Sequence, residues 1–163
     1  MELANVLLSE KQDYETEYVL ERGKSMLSKN HSRLASRFSV ALSCFEQYEA
    51  FIKLNLDLST GKAAPDICLF EPEKSDWLQD EIQVTKPPLL TIDIHSPTQA
   101  LEELKDKIFG IYFPAGVKSC WIVVPTLKVI AVFTPNKGVI NHIAGIVKDP
   151  VLDIEVDMKD IFR

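Results

Sequence analysis

Residues 89–99, LLTIDIHSPTQ, place an aspartate inside an apolar run that passes straight into a helix start. Asp is disfavoured in strands, and a buried carboxylate without a partner is costly. Asp93 therefore looks at solvent, has a partner, or holds a metal. Alternation puts Leu90, Ile92 and Ile94 on one face of this strand and Thr91, Asp93 and His95 on the other. The first face predicts a core surface covered by the following helix. The second is either a solvated face or the floor of a site.

That following helix is predicted over SPTQALEELKDKIFGIYFPAG. Ser96 is its N-cap, Pro97 its first helical position and Gln99 the second half of a capping box, with Gly116 at the end. A second helix is predicted over SKNHSRLASRFSVALSCFEQY. Ser28 or Asn30 can cap it, and Leu34, Phe38, Leu42 and Phe45 recur at helical spacing. FIKLNLDL alternates strictly and predicts one strand with a wet face, STGKAAP a turn, and DICLFEP a strand. EKSDWLQDEIQVTKPP is a polar connection. KSCWIVV, KVIAVFT and GVINHIAGIV predict three further strands, and DIEVDMKDIF a strand and a short turn. Ahead of these, residues 1 to about 15 form a lead-in, and TEYVLERGKSML predicts a hairpin with Gly23 near its turn. Without an internal repeat or linker, residues 1–163 read as a single α/β domain: a mixed β-sheet flanked by few helices, with an N-terminal hairpin.

Charge and cysteine content exclude several classes. A net charge of −6 argues against a generic nucleic-acid binder. The charge is uneven, since no Asp or Glu lies between Arg22 and Phe45, where Arg22, Lys24, Lys29, Arg33 and Arg37 all fall. On composition alone that segment is a solvated helix face rather than a phosphate-facing patch. Cys44, Cys68 and Cys120 form no CxxC pair, so neither a zinc knuckle nor a disulfide framework is indicated. With no signal-peptide pattern or transmembrane-length run, the expected setting is cytoplasmic.

A second acid opens another apolar strand, Pro65-Asp66 before ICLF. Alone, Asp66 is an ordinary strand-edge residue. Two carboxylates on separate strands, however, can converge on one divalent cation, and Mg²⁺ often takes only one or two carboxylates plus waters and a substrate phosphate. A nearby lysine completes a phosphodiester-cleaving set by orienting water and offsetting phosphate charge. Lys105 and Lys107 flank opposite edges of the stripe Leu101, Leu104, Ile108 and Ile111, and periodicity does not choose between them. Either could equally be a snorkelling surface lysine.

APDICLFEP, PPLLTIDIHSPTQ and LKDKIFGIYFPAGVKSCWIVVP, with ERGKSMLSKNHSRL more weakly, resemble the Uma-two family of restriction-endonuclease-like proteins, which have the PD-(D/E)XK nuclease fold. The matching pieces span about Glu21 to Pro125. The resemblance implies a metal-dependent endonuclease acting on DNA with Mg²⁺ or Mn²⁺, and an ability to pair as a homodimer. It implies that Asp66 is the first acid, Asp93 the second acid and a metal ligand with Asp66, and Lys107 the motif lysine carried by the helix. His31 resembles a family histidine with a supporting role at most, and both His31 and His142 read more simply as ordinary polar or packing residues. Lys29, Arg33 and Arg37 become candidate DNA contacts.

Three positions depart from the family pattern. Asp93 stands where Glu is usual. His95 stands where a standard PD-(D/E)XK enzyme has lysine, and as a ligand it would favour Mn²⁺. Lys107 lies one residue further from Tyr112 than the family spacing, which requires a local bulge, leaves the role to Lys105, or means that the site has lost its lysine. These departures motivate a second expectation, a catalytically impaired nuclease fold serving as an interaction module.

Overall fold

A computed structural model describes residues 27–136 and 138–163. The expected N-terminal hairpin lies outside them, but for Leu27, as do Arg22 and Lys24.

Helix α1 spans Lys29–Leu42. Ser28 caps it, accepting the His31 N–H at 3.1 Å. His31, Leu34, Phe38 and Leu42 form its buried stripe. His31 is thus carried toward the sheet by the same periodicity that buries the leucines.

The main sheet has six strands in the order β1-β4-β5-β6-β7-β8. They are β1 (Glu49–Ile52), β4 (Ile67–Phe70), β5 (Leu90–Ile94), β6 (Ser119–Val124), β7 (Val129–Thr134) and β8 (Gly138–His142). Only β5 and β6 pair in parallel, which makes the sheet mixed as expected. Strands β2 (Leu56–Leu58) and β3 (Gly61–Ala63) form a separate hairpin, and β9 (Ile146–Lys148) pairs with β10 (Glu155–Asp157). A short helix, α3 (Phe113–Ala115), precedes β6, and the chain closes with α4, Met158–Ile161.

Three predicted elements are corrected. FIKLNLDL is two strands, because Lys53 adopts a left-handed conformation (φ 52°) that ends β1. GVINHIAGIV is broken after His142, and Gly145 (φ 80°) supports the bend before β9. The helix after β5 begins at Leu101, not Ser96. Helix α2 (Leu101–Lys107) has Ala100 as its N-cap, with no capping side chain. Ser96 instead accepts the Gln99 N–H on its carbonyl at 3.2 Å, and the His95 ring donates Nε2–H to the Gln99 carbonyl at 2.6 Å. These bonds hold residues 96–99 in a turn that competes with the capping box.

Each face of the sheet has its own core. On one face Leu90, Ile92 and Ile94 pack with Leu34, Phe38 and Leu42 of α1, Trp121, and Met158 and Ile161 of α4. Phe38 meets Trp121 edge-on at 6.4 Å between ring centres. On the other face Cys68, Cys120 and Ile122 pack with Leu104, Ile108 and Tyr112. The helix after β5 therefore covers the Asp93 face, not the leucine–isoleucine face expected. Asp93 and Thr91 are consequently buried, and the solvated-face alternative is removed.

Asp149 pins the C-terminal hairpin to β6. It accepts the Ser119 hydroxyl at 2.5 Å and the Trp121 indole N–H at 2.8 Å, along with the Val151 and Leu152 N–H groups. At the far end of β4, residues 71–86 form a long loop. It carries Glu71, Glu73, Asp76, Asp80 and Glu81 against Lys74 and Lys86, and exposes Trp77, Leu78 and Ile82. Among the described residues no helix is long and apolar enough to cross a membrane.

Candidate active site

The strand register builds the site. Ile52 pairs with Ile67, and Ile67 with Ile92. The next residue outward on β1, β4 and β5 is Lys53, Asp66 and Asp93 in turn. A row of three isoleucines thus gives way, one step further, to a row of one cation and two carboxylates.

Asp66 is buried and held from three sides. Its Oδ2 accepts the His31 ring Nε2–H at 2.9 Å and the Ile94 backbone N–H at 2.7 Å. Its Oδ1 is paired with the Lys53 ammonium. Burial pushes the Asp66 carboxyl up, but the hydrogen bonds from His31, Lys53 and Ile94 and the Lys53 charge together hold it below the usual value. Asp66 is therefore a carboxylate at neutral pH.

Asp93 is the opposite case. Burial pushes it up to about 6, and the negative charge of Asp66 adds to that. The Lys107 and Lys53 charges and the neighbouring Tyr112 hydroxyl counter it. That hydroxyl is fully buried and falls short of full hydrogen-bond geometry. Cys68 and Cys120 lie on the same face, and burial, then the Asp93 charge, pushes the Cys68 thiol up to about 12. Cys120 is raised as well, burial again leading. Both are thiols at neutral pH and poor metal ligands.

The two candidate lysines separate. Lys105 is exposed and donates to Glu102 at 3.0 Å, one turn back on α2. Lys107 is half-buried, and its charge is the largest influence opposing the burial of Asp93. A π-helical turn, Ile108–Tyr112, follows Lys107 immediately. It absorbs one extra residue, so the Lys107 charge and the Tyr112 hydroxyl both influence Asp93 despite their spacing. This is the local bulge that the sequence spacing required.

The remaining candidates disperse. His95 is half-buried and committed through Nε2 to Gln99. Lys29 is exposed at the start of α1, and Arg33 donates to Asn30 at 2.9 Å. Arg37 is tied to the C-terminus, donating to the Ile161 and Arg163 carbonyls at 2.9 and 2.8 Å. His142 lies on β8, outside the site. Sequence reasoning missed Lys53, because strict alternation placed it on a wet face with Asn55 and Asp57. Only the left-handed kink turns it to Asp66.

Two acids thus stand on adjacent strands of a mixed sheet, and the charge of a lysine from the following helix acts on the second. The chain belongs to the Uma2 family, described as "Putative restriction endonuclease", whose model matches residues 3–155. A crystal structure titled as "a putative nuclease belonging to DUF820" from Anabaena variabilis is similar in fold, with a TM-score of 0.70. The two chains share 20% identity over 85% of this chain and 83% of that one. No curated protein matches the chain significantly.

Proposed function

We propose that this protein is a metal-dependent endonuclease that hydrolyses DNA phosphodiester bonds. The observation that carries this reading is the adjacency of Asp66 and Asp93, one held ionised and the other pushed up by burial. Among the described residues no cluster of three or more His, Cys, Asp or Glu side chains is placed to hold a metal. Two carboxylates suffice for one Mg²⁺ or Mn²⁺ that keeps waters and takes a substrate phosphate oxygen. The Lys53 ammonium paired with Asp66 Oδ1 marks where positive charge already meets this carboxylate.

Asp66 and Asp93 would hold the ion, which when bound supplies a lowered water pKa and charge neutralisation at phosphorus. His31 and the Ile94 N–H fix the angle of the Asp66 carboxylate. Lys107 orients the attacking water and offsets charge on the phosphate. Lys29 and Arg33, exposed on α1, contact the DNA backbone. Two copies acting together would cut both strands of a duplex.

Calorimetry with Mn²⁺ on wild type and Asp66→Asn, followed by plasmid cleavage, tests the reading. Binding and nicking by the wild type, both lost in Asp66→Asn, are expected. Equal cleavage by the two proteins would overturn it. Asn is preferred to Ala, because Ala leaves the His31 and Ile94 donors unpaired at roughly 1–3 kcal/mol each.

A second reading, the nuclease fold retained as a non-catalytic interaction module, is favoured by one observation. Both Asp66 oxygens are already engaged by His31, Ile94 and Lys53. It requires that no divalent ion bind.

A further inference from the structure

We propose that Lys53 is a resident counter-cation of the acid pair, exchanged for the divalent metal and then released to hold a substrate phosphate. The proposal rests on the metal-dependent reading above and goes beyond it. Lys53 belongs to none of the motifs that define the acid–acid–lysine set.

Three observations carry it. First, Lys53 is clipped to Asp66 twice, by its backbone N–H to the Asp66 carbonyl at 3.1 Å and by its ammonium to Oδ1. Its charge reaches Asp93 as well. The site is thus neutral by itself, with Lys53 and Lys107 balancing two carboxylates. Second, Lys53 pays for this placement with a left-handed backbone (φ 52°), which costs an L residue on the order of 1 kcal/mol. Such strain persists where surrounding structure enforces it, and it clusters at functional sites. Third, the ammonium has somewhere to go. Its side chain is 43% exposed, against 6% for Asp66. It borders an open cavity of about 390 Å³ between α1 and the end of β1, whose lining is mostly apolar, with Leu27, Val40 and Ile52 beside His31, Ser32 and Asp66.

A divalent ion at Asp66 and Asp93 meets Lys53 as a competitor for Oδ1 and as a like charge beside it. Both effects have the same sign, so removing the ammonium strengthens metal binding. An ammonium displaced toward solvent, where its side chain is already partly exposed, stays beside the site but loses its carboxylate. A phosphate oxygen brought to the metal then supplies the missing anion.

Mn²⁺ affinity by calorimetry at pH 7.5 on wild type, Lys53→Met and Lys53→Arg tests the exchange, with thermal unfolding as the folding control. Lys53→Met is expected to bind Mn²⁺ about tenfold more tightly, the effect of removing one positive charge beside a cation at a partly wet site. Lys53→Arg, still cationic, stays near wild type. Equal or weaker binding by a folded Lys53→Met overturns the exchange and leaves the endonuclease reading standing. No Mn²⁺ binding by any of the three overturns both. Binding of a short duplex in Ca²⁺ tests the release. The salt dependence for Lys53→Met is expected to fall by about one phosphate contact, and an unchanged slope overturns that half.

Discussion

Lys107 and Tyr112 stand five residues apart, yet both act on one carboxylate, that of Asp93. On a regular α-helix neighbours on one face are three or four residues apart. The π-helical turn over Ile108–Tyr112 restores the alignment, since its hydrogen bonds span five residues. The first expectation concerns Gly110, which is exposed within that turn. Deleting it converts the turn to ordinary α-helix with a four-residue spacing. The protein should gain about 0.5–1 kcal/mol from losing a helical glycine, and Lys107 should stay beside Asp93. Urea denaturation and an Asp93 titration read both; a large loss of stability would show that the turn has another task.

The two helix lysines differ in what they touch, so they differ in what their loss does. Lys107→Met removes the charge that most opposes the burial of Asp93, and the Asp93 pKa should rise further above about 6. Lys105→Met breaks only an exposed pair with Glu102, typically about 0.3–0.5 kcal/mol, and should leave Asp93 unchanged. Carboxyl carbon NMR of Asp93 across pH distinguishes them. Cleavage should fall by about two orders of magnitude in Lys107→Met and hold in Lys105→Met.

Asp93 also makes the metal-free protein sensitive to pH. Its folded pKa of about 6 exceeds its ordinary value of 3.8. The folded state therefore binds a proton more tightly than the unfolded chain. Asp93 costs nothing below its ordinary pKa, and its penalty grows to on the order of 3 kcal/mol as pH rises past 6. Asp93→Asn should thus be more stable than wild type at pH 7.5, and the gain should vanish by about pH 4. Thermal unfolding of both proteins across this window tests the sign. Asp66 works in the other direction, because its lowered pKa contributes stability that is lost as pH falls below the carboxylate range.

Arg37 and Arg33 share a helix but not a role. Arg37→Ala should destabilise the C-terminal helix by about 1 kcal/mol, since its guanidinium bonds to the Ile161 and Arg163 carbonyls. Its effect on DNA affinity should be small. Arg33→Ala should leave stability alone and lower the salt slope of DNA binding by close to one. Equal effects of the two substitutions on the slope would contradict the assignment.

The site was legible in the sequence where it depended on strand order and helical periodicity. Asp66 and Asp93 stand at the edges of short apolar strands, and His31 falls on the stripe of Leu34, Phe38 and Leu42. What escaped was set by single backbone conformations. The positive φ at Lys53 splits an alternating strand and aims its ammonium inward, and alternation contains no signal of that. The Ser96–Gln99 turn wins over a well-formed capping box because His95 takes the Gln99 carbonyl. The face covered by α2 was misjudged for a related reason: the apolar side of β5 is shared with α1 and α4, which only the full topology reveals. Asp149 carried no motif at all, as its partners Ser119 and Trp121 are distant in sequence.

The loop of residues 71–86 follows β4 at the end opposite Asp66, so the acidic surface and the acid pair stand at opposite ends of one strand. For a chain of net charge −6 approaching a polyanion, that loop behaves as a keel. If the substrate is DNA, as proposed, encounters that lead with it would be turned aside, and those that lead with α1 and Lys53 would proceed. Productive association would then be limited by tumbling rather than by travel.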